Sequence, residues 1–280
     1  ALAAVLNSTS VIRVGLEADH TTVRRWQWLD RHAHVELVPL VDLVERLRMI
    51  KDEEEIAILR RAGRLLSEIV PDVIALASRK RPEVEIAREI DRLVLEAGFD
   101  RTAFETIVAS GPNSALPHAH PTARELSDGD LVILDFGGVL DEYCVDISRS
   151  VVVGIVDAEC RRLYSAVQEA QRAAIDKVIP GVSAEQIDAV ARDVLDSYGL
   201  GETFGHSTGH GLGLDVHELP RVGRKQSSAE PVVLERGMVF TIEPGVYVPG
   251  LGGVRIEDDV LVTASGVELL TDRAGELAVT

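Results

Sequence analysis

Two stretches of this chain carry acidic residues at matched distances from a turn, inside sequence too apolar to leave them in water. In residues 131–150, LVILDFGGVLDEYCVDISRS, Asp135 and Asp146 are equidistant from a turn centred between Leu140 and Asp141. In residues 240–259, FTIEPGVYVPGLGGVRIEDD, Glu243 and Glu257 are equidistant from Gly250 in the turn PGLGG. Opposed residues of an antiparallel pair project on the same face, so each hairpin is expected to bring two like charges together. A buried charge without a partner is very costly, and two carboxylates side by side repel unless a cation neutralises them. A fold for this chain has to satisfy both pairs. The competing readings are turn capping or backbone hydrogen bonds for the aspartates, and a salt bridge to Arg255 for the glutamates.

A third segment, HSTGHGLGLDVHE at residues 206–218, supplies His206, His210 and His217. The four-residue spacing of the first two resembles a helical zinc-protease motif, but Ser207 stands where that motif needs Glu. Gly205, Gly209, Gly211 and Gly213 argue against helix. An extended, glycine-lined strand is expected, one in which the backbone can approach substrate closely. One such histidine alone reads as a packed residue; three in twelve residues point to a site. His118, in SALPHAHPT after a Gly-Pro-Asn turn, has His120 beside it, and either alone reads as a surface-loop histidine.

At 280 residues, with 46% apolar and 27% charged residues, the chain is long and apolar enough for a sizeable core. The net charge of −17 disfavours nucleic acid and anionic membranes as partners. Cys144 and Cys160 are too few for a disulfide framework and are expected to be reduced core residues of a cytoplasmic protein. No apolar stretch reaches the ~18 residues of a membrane span. The opening ALAAVLNSTS lacks the basic lead-in of a secretory signal, and because it starts mid-pattern the chain is expected to be a fragment of something longer.

Residues 11–15 and 35–39 look like short strands flanking a helix over 20–32 capped near Asp19, a stretch too small for a stable core of its own. From Lys51 the run KDEEE introduces a long amphipathic helix that Pro71 should kink or split. A second helix runs from Glu83 to Ala97 and stops at Gly98. The plan then recurs, with helices over 158–178 and 183–197, the last ending near Gly199. At an offset of 101 residues Ile86, Ile90 and Val94 fall on Ile187, Ala191 and Leu195, so the apolar faces coincide. β-rich sequence follows each helix pair, over 104–152 and 237–263. This predicts an α+β domain of two related helix–helix–sheet halves around one curved antiparallel sheet.

Taken in order, these segments resemble the metallopeptidases of the pita-bread fold, which include methionine aminopeptidases, Xaa-Pro aminopeptidases and prolidases. The resemblance covers residues 11–270 and rests on Asp-x10-Asp, a Gly-His-Gly segment, then two glutamates. It implies that Asp135, Asp146, His210, Glu243 and Glu257 bind two divalent metal ions. HSTGHGLGLDVHE is similar to the HxxGHxxGxxxHE segment of the proline-specific branch. That similarity implies His118 and His217 as residues contacting the scissile peptide, His206 in the pocket after the cut, and Arg255 as a substrate-side or supporting residue. It also implies residues 1–50 as the end of a creatinase-type N-terminal domain, most of it missing, and 51–280 as the catalytic domain. A homodimer is the family expectation.

The chemistry expected of such a site is hydrolysis by a metal-activated water. Glu243 is the expected general base, with the metal and His217 expected to stabilise the oxyanion and His118 to hydrogen-bond the substrate. Oxygen-dominated coordination with one imidazole favours Mn2+, with Co2+ or Zn2+ able to substitute. The expected substrate is a peptide with proline in second position. Two other readings stand beside it: an aminopeptidase of different specificity, methionine included, and a non-catalytic binding module of the same fold.

Overall fold

Thr22, rather than Asp19, starts the first long helix: its hydroxyl accepts the Arg25 amide at 3.2 Å, the N-cap bond that closes a helix entry. The computed structural model describes residues 2–225 and 231–280, and the chain divides into two units, Ala1–Arg48 and Met49–Thr280. The first comprises α1 (Leu2–Asn7), β1 (Arg13–Glu17), α2 (Val23–His32), β2 (Glu36–Leu40) and α3 (Leu43–Arg48). β1 and β2 pair in parallel, in register from Arg13↔Glu36 to Glu17↔Leu40, with α2 as the crossover that parallel strands require. Only Ala3, Leu29 and Ala33 among its described apolar residues are buried, while Ile12, Val23 and Leu47 lie exposed. So small a stretch cannot enclose much of a core.

The second unit runs α4 (Glu53–Glu68), α5 (Val70–Leu76), α6 (Glu83–Glu96), β3 (Arg101–Thr102), β4 (Ile107–Ser110), β5 (Leu131–Leu140) and β6 (Tyr143–Val152). Its latter half comprises α7 (Ala158–Asp176), α8 (Ala184–Ser197), β7 (Gly209–Gly211), β8 (Glu218–Val222), β9 (Val239–Ile242), β10 (Gly245–Val248), β11 (Gly252–Arg255), β12 (Asp258–Val262), β13 (Val267–Leu269) and β14 (Ala278–Val279). The KDEEE run is a capping box: Asp52 Oδ1 accepts the Glu54 and Glu55 amides, and the Glu55 carboxylate accepts the Asp52 amide. Pro71 sits in the first turn of α5, where its missing N–H is harmless, so the helix splits at Ile69.

α6 and α8 begin and end 101 residues apart, Glu83 to Ala184 and Glu96 to Ser197. Gly98 and Gly199 follow them with φ of 102° and 70°, the left-handed turn that ends each helix. Ile86, Ile90 and Val94, and their counterparts Ile187, Ala191 and Leu195, are all fully buried. Each helix also starts beside an equivalent β-bridge, Pro82 to Glu125 and Ser183 to Val233. One apolar cluster packs α4–α6 against β5 and β6; the other packs α7 and α8 against β9–β12.

The hydrogen bonding divides the expected single curved sheet into two five-stranded sheets and a ribbon. One sheet has the order β14-β6-β5-β3 with β4 also on β5; the other runs β13-β12-β9-β7-β8; β10 and β11 pair alone. Among the described residues of this unit, pairing is antiparallel except between β14 and β6. The sheets meet where the Glu257 amide donates to Ser148 O (3.2 Å) and the Asp146 amide to Asp259 Oδ2 (3.0 Å).

The first hairpin turns one residue later than the sequence symmetry suggested. Leu140 pairs with Tyr143, and the two turn residues Asp141 and Glu142 both have positive φ, 48° and 70°. That is the two-residue turn whose twist matches the strands. Asp135 therefore opposes Ser148, and Asp146 opposes Gly137. The aspartates are diagonal, not opposite, and still share a face because two residues is one side-chain period. The second hairpin is centred as expected: Ile242↔Asp258 and Gly245↔Arg255 both centre on Gly250, whose φ is 84°.

Candidate metal centre

β5 and β6 project Asp135 and Asp146 from a stretch in which nearly every residue is buried. Glu243 and Glu257 sit in the break between the β9–β12 and β10–β11 ladders, and β7 carries His210. Asp135, Asp146 and Glu257 are buried, and the Glu243 and His210 side chains nearly so. Asp146, His210 and Glu257 each present a ligand atom within 4.8 Å of the others. His210 Nε2 lies 3.7 Å from Glu243 Oε1 and 3.9 Å from Asp146 Oδ2, too far for hydrogen bonds.

Water exclusion and like charge act together on this cluster. Burial, then the charges of Glu257 and Asp135, hold the Asp146 carboxyl well above its ordinary range. Burial and Glu257 do the same for Glu243, and burial with Asp135 lifts Glu257 to about 8. His210 moves oppositely, down to about 4, through burial and then His217, whose ring centroid is 4.2 Å away. A neutral imidazole among carboxyl groups is the form that ligates a cation. Asp135 Oδ1 and Asp146 Oδ1 are buried without a hydrogen-bond partner. Acceptors orphaned in this way, beside hard oxygen donors and one imidazole, fit divalent metal ions.

The other expected site residues surround these five. His206 Nε2 meets Tyr247 Oη at 2.8 Å, and its ring lies edge-on to Phe204; burial and then Arg255 lower it to about 4. His217 stands at the entry to β8, open to solvent yet partly enclosed; that partial enclosure lowers its pKa, opposed by the charge of Asp135. His118 is exposed, close enough for its charge to act on both His206 and His217. Arg255 is buried and donates to Asp135 Oδ2, Ser148 Oγ (3.0 Å), Tyr247 Oη (2.8 Å) and Pro117 O (3.0 Å). Its partner in the cluster is thus Asp135, not either glutamate. His120 points away, paired with Glu105 at the surface.

Two of the glycines around His210 are required by close strand packing, while Gly205 has open space where a Cβ would stand. A Cβ on Gly209 would stand 1.8 Å from Thr241 O, and one on Gly211 2.1 Å from Leu219 O. At these two positions the neighbouring strands occupy the space.

Metallopeptidase family M24 has a family model that matches residues 57–264 of this chain. The chain belongs to that family. Its M24 fold is the pita-bread fold, with α+β composition as expected. An Xaa-Pro dipeptidase of Pyrococcus furiosus is 42% identical over 236 residues, 84% of this chain and 67% of that protein. The chain thus spans about two thirds of that relative. The structure of an Xaa-Pro dipeptidase from Bacillus anthracis superposes with a TM-score of 0.95 at 36% identity, covering 100% of this chain and 78% of the other. An X-Pro aminopeptidase from Thermotoga maritima gives 0.92 at 34% identity, with 100% and 78% covered. An M24 metallopeptidase uses divalent metal, and the donor set above fits that need.

Besides Tyr247 and Phe204, three contributors to this M24 site escaped the sequence reading. Asp259 accepts the Asp146 amide, has a buried and unpartnered Oδ1, and adds its charge to that on Asp146. Its signal was available: in EDD, Glu257 and Asp259 lie two apart and share a strand face. Ser148, two residues from Asp146, donates to Glu257 Oε2 at 2.7 Å. Asp188 on α8 accepts the Thr208 amide (3.2 Å) and hydroxyl (2.8 Å), holding the approach to β7; nothing local in the sequence marks it. Cys144 and Cys160 are free and buried, as expected, and no helix among the described residues is long and apolar enough to cross a membrane.

Proposed function

We propose that the chain is a dinuclear metallopeptidase that hydrolyses the bond between an N-terminal residue and a following proline. The observation that carries this is the convergence of Asp146, Glu243 and Glu257 on His210, with Asp135 close enough for its charge to act on all three carboxyls and with Asp135 Oδ1 and Asp146 Oδ1 buried and unpartnered. The names of its relatives, Xaa-Pro dipeptidase and X-Pro aminopeptidase, support the substrate class.

Asp135, Asp146, His210, Glu243 and Glu257 hold the two ions, with Mn2+ the first choice for so oxygen-rich a set. Bound there, the ions supply an acidified water and a positive field for the developing oxyanion. Glu243, less enclosed than the other carboxyl groups, accepts the proton of the attacking water. His217 donates to the oxyanion and His118 to the substrate peptide. His206, backed by Phe204 and Tyr247, forms a wall of the pocket for the residue after the cut. Arg255 acts by support, fixing Asp135 and Tyr247. Residues 1–50 are read as part of a creatinase-type N-terminal domain. The protein is further proposed to be a cytoplasmic homodimer, which sedimentation and cell fractionation test.

The likeness to the Thermotoga aminopeptidase favours a second reading in which longer peptides are cut as well. A chain-length series of Xaa-Pro peptides assayed with Mn2+ decides. Release of Xaa from dipeptides alone supports a prolidase, and equal release from tripeptides and longer supports an aminopeptidase. If folded, metal-loaded protein cleaves none of them, the proposal fails.

A further inference from the structure

Glu83, the first residue of α6, is fully buried although it is charged and far in sequence from every proposed metal ligand. Its carboxylate is saturated with donors. Oε1 accepts the Ser110 amide (2.7 Å), the Ser110 hydroxyl (2.6 Å) and Asn113 Nδ2 (3.1 Å). Oε2 accepts Asn113 Nδ2 (3.0 Å), the Thr122 amide (3.0 Å) and the Thr122 hydroxyl (2.6 Å). All six of these bonds are donated to the carboxylate, so it acts as an acceptor in each. The backbone adds to the bond set: the Glu83 amide donates to Arg124 O and the Val84 amide to Thr122 O, both at 3.0 Å.

These partners lie at the two ends of one loop. Ser110 ends β4, Thr122 lies twelve residues later, and between them the chain passes through a short 3-10 turn, Gly111–Ala115, to His118. The middle of the loop is tied to the active-site hairpin: Gly253 N donates to Ser114 Oγ at 2.8 Å, and Arg255 Nη1 to Pro117 O at 3.0 Å. His118 itself is exposed. No hydrogen bond to its ring is seen among the described residues, so its place depends on these ties at Ser114 and Pro117 together with the anchoring of the loop at both ends.

We propose that Glu83 is a positioning residue for His118, closing the 110–122 loop so that the imidazole stands over the site. This rests on the peptidase reading above. A buried acceptor that gathers charge-assisted hydrogen bonds from both loop ends fixes their separation, and a misplacement of about 1 Å in such a group costs catalysis about a hundredfold. α6 provides a rigid base, since its apolar face is locked in the core.

The test uses the full chain and the variants Glu83→Gln, Glu83→Asp, Thr122→Val and His118→Ala. Glu83→Gln keeps the volume but turns an amide group toward donors; Thr122→Val removes one donor and leaves the carboxylate. The expected result is a roughly hundredfold fall in kcat/KM for Glu83→Gln and roughly tenfold for Thr122→Val, mostly in kcat, with bound metal unchanged by elemental analysis. Glu83→Asp should recover part of the loss. Added to His118→Ala, Glu83→Gln should cost almost nothing more, because the residue it positions is gone. Full additivity of the two would overturn the proposal, as would loss of metal. A second readout needs neither metal nor substrate: the His118 ring resonances in metal-free protein should shift and broaden in both Glu83→Gln and Thr122→Val. Unchanged resonances overturn the inference even if the wild type cleaves no Xaa-Pro peptide, whereas shifted ones with an inactive wild type leave the fault with the peptidase reading.

Discussion

Glu243 and Glu257 face each other where two ladders that share one register are both interrupted, and each sends its amide out of the hairpin. The Glu243 amide donates to Thr208 O (2.7 Å), beside β7, and the Glu257 amide to Ser148 O (3.2 Å) on β6. The break therefore joins the hairpin to the strand that carries His210 and to the strand that carries Asp146. Backbone bonding, more than side-chain choice, makes the five donors converge.

That convergence stores repulsion when no cation is bound. Asp146→Asn removes one buried carboxyl, so the metal-free protein should be unchanged or more stable by about 1–4 kcal/mol. The same variant should lose the rise in melting temperature that Mn2+ gives the wild type. Thermal melts with EDTA and with Mn2+ check both halves, and elemental analysis should find the bound metal reduced.

pH dependence follows from the same groups. Glu257 rises from an ordinary 4.5 to about 8 in the folded protein, so the native state holds a proton that the unfolded chain has released. Stability of the metal-free protein should therefore fall as pH rises between those values. His206 and His210, ordinarily 6.5 and here about 4, act in the opposite sense below 6.5. The net expectation is a clear loss of stability from pH 6.5 to 8 in EDTA. Saturating Mn2+ should flatten that slope, and melting temperatures across the range provide the measurement.

Arg255 offsets one carboxylate charge at a site with four. Arg255→Met leaves Asp135 buried without its cation, and breaking a buried pair in this way costs about 3 kcal/mol or more. Urea unfolding in EDTA should show the loss, and the apparent affinity for Mn2+ should change with it. Arg255→Lys should recover little, because one ammonium cannot reach Asp135, Ser148, Tyr247 and Pro117 together.

Two glycines separate backbone strain from close packing. Gly209→Ala drives a Cβ against Thr241 O and should cost about 3 kcal/mol, displacing His210 and weakening metal binding. Gly250 meets nothing within 4 Å but has φ of 84°. Gly250→Ala should cost only about 1 kcal/mol and leave metal affinity intact. Chemical denaturation and metal titration of the pair distinguish the two effects.

Local pattern made much of this molecule legible. The acidic helix start at KDEEE, the split at Pro71 and the stops at Gly98 and Gly199 depend on interactions within one or two turns of chain, so composition and spacing determine them, and the 101-residue repeat shows as a recurrence of such local signals. The carboxylate pairs were visible for a related reason: charges at fixed distances from a turn, in apolar strands, have few tolerable surroundings. Asp135 and Asp146 show the limit. Their symmetry placed the turn one residue early, because the twist of the strands selects Asp141 and Glu142 as the turn and no residue count encodes twist. What lay beyond the sequence is long-range. That Arg255 pairs with Asp135, that Asp259 stands behind Asp146, and that Glu83 fastens both ends of the His118 loop depends on which strands and loops meet, and packing of the two halves decides that.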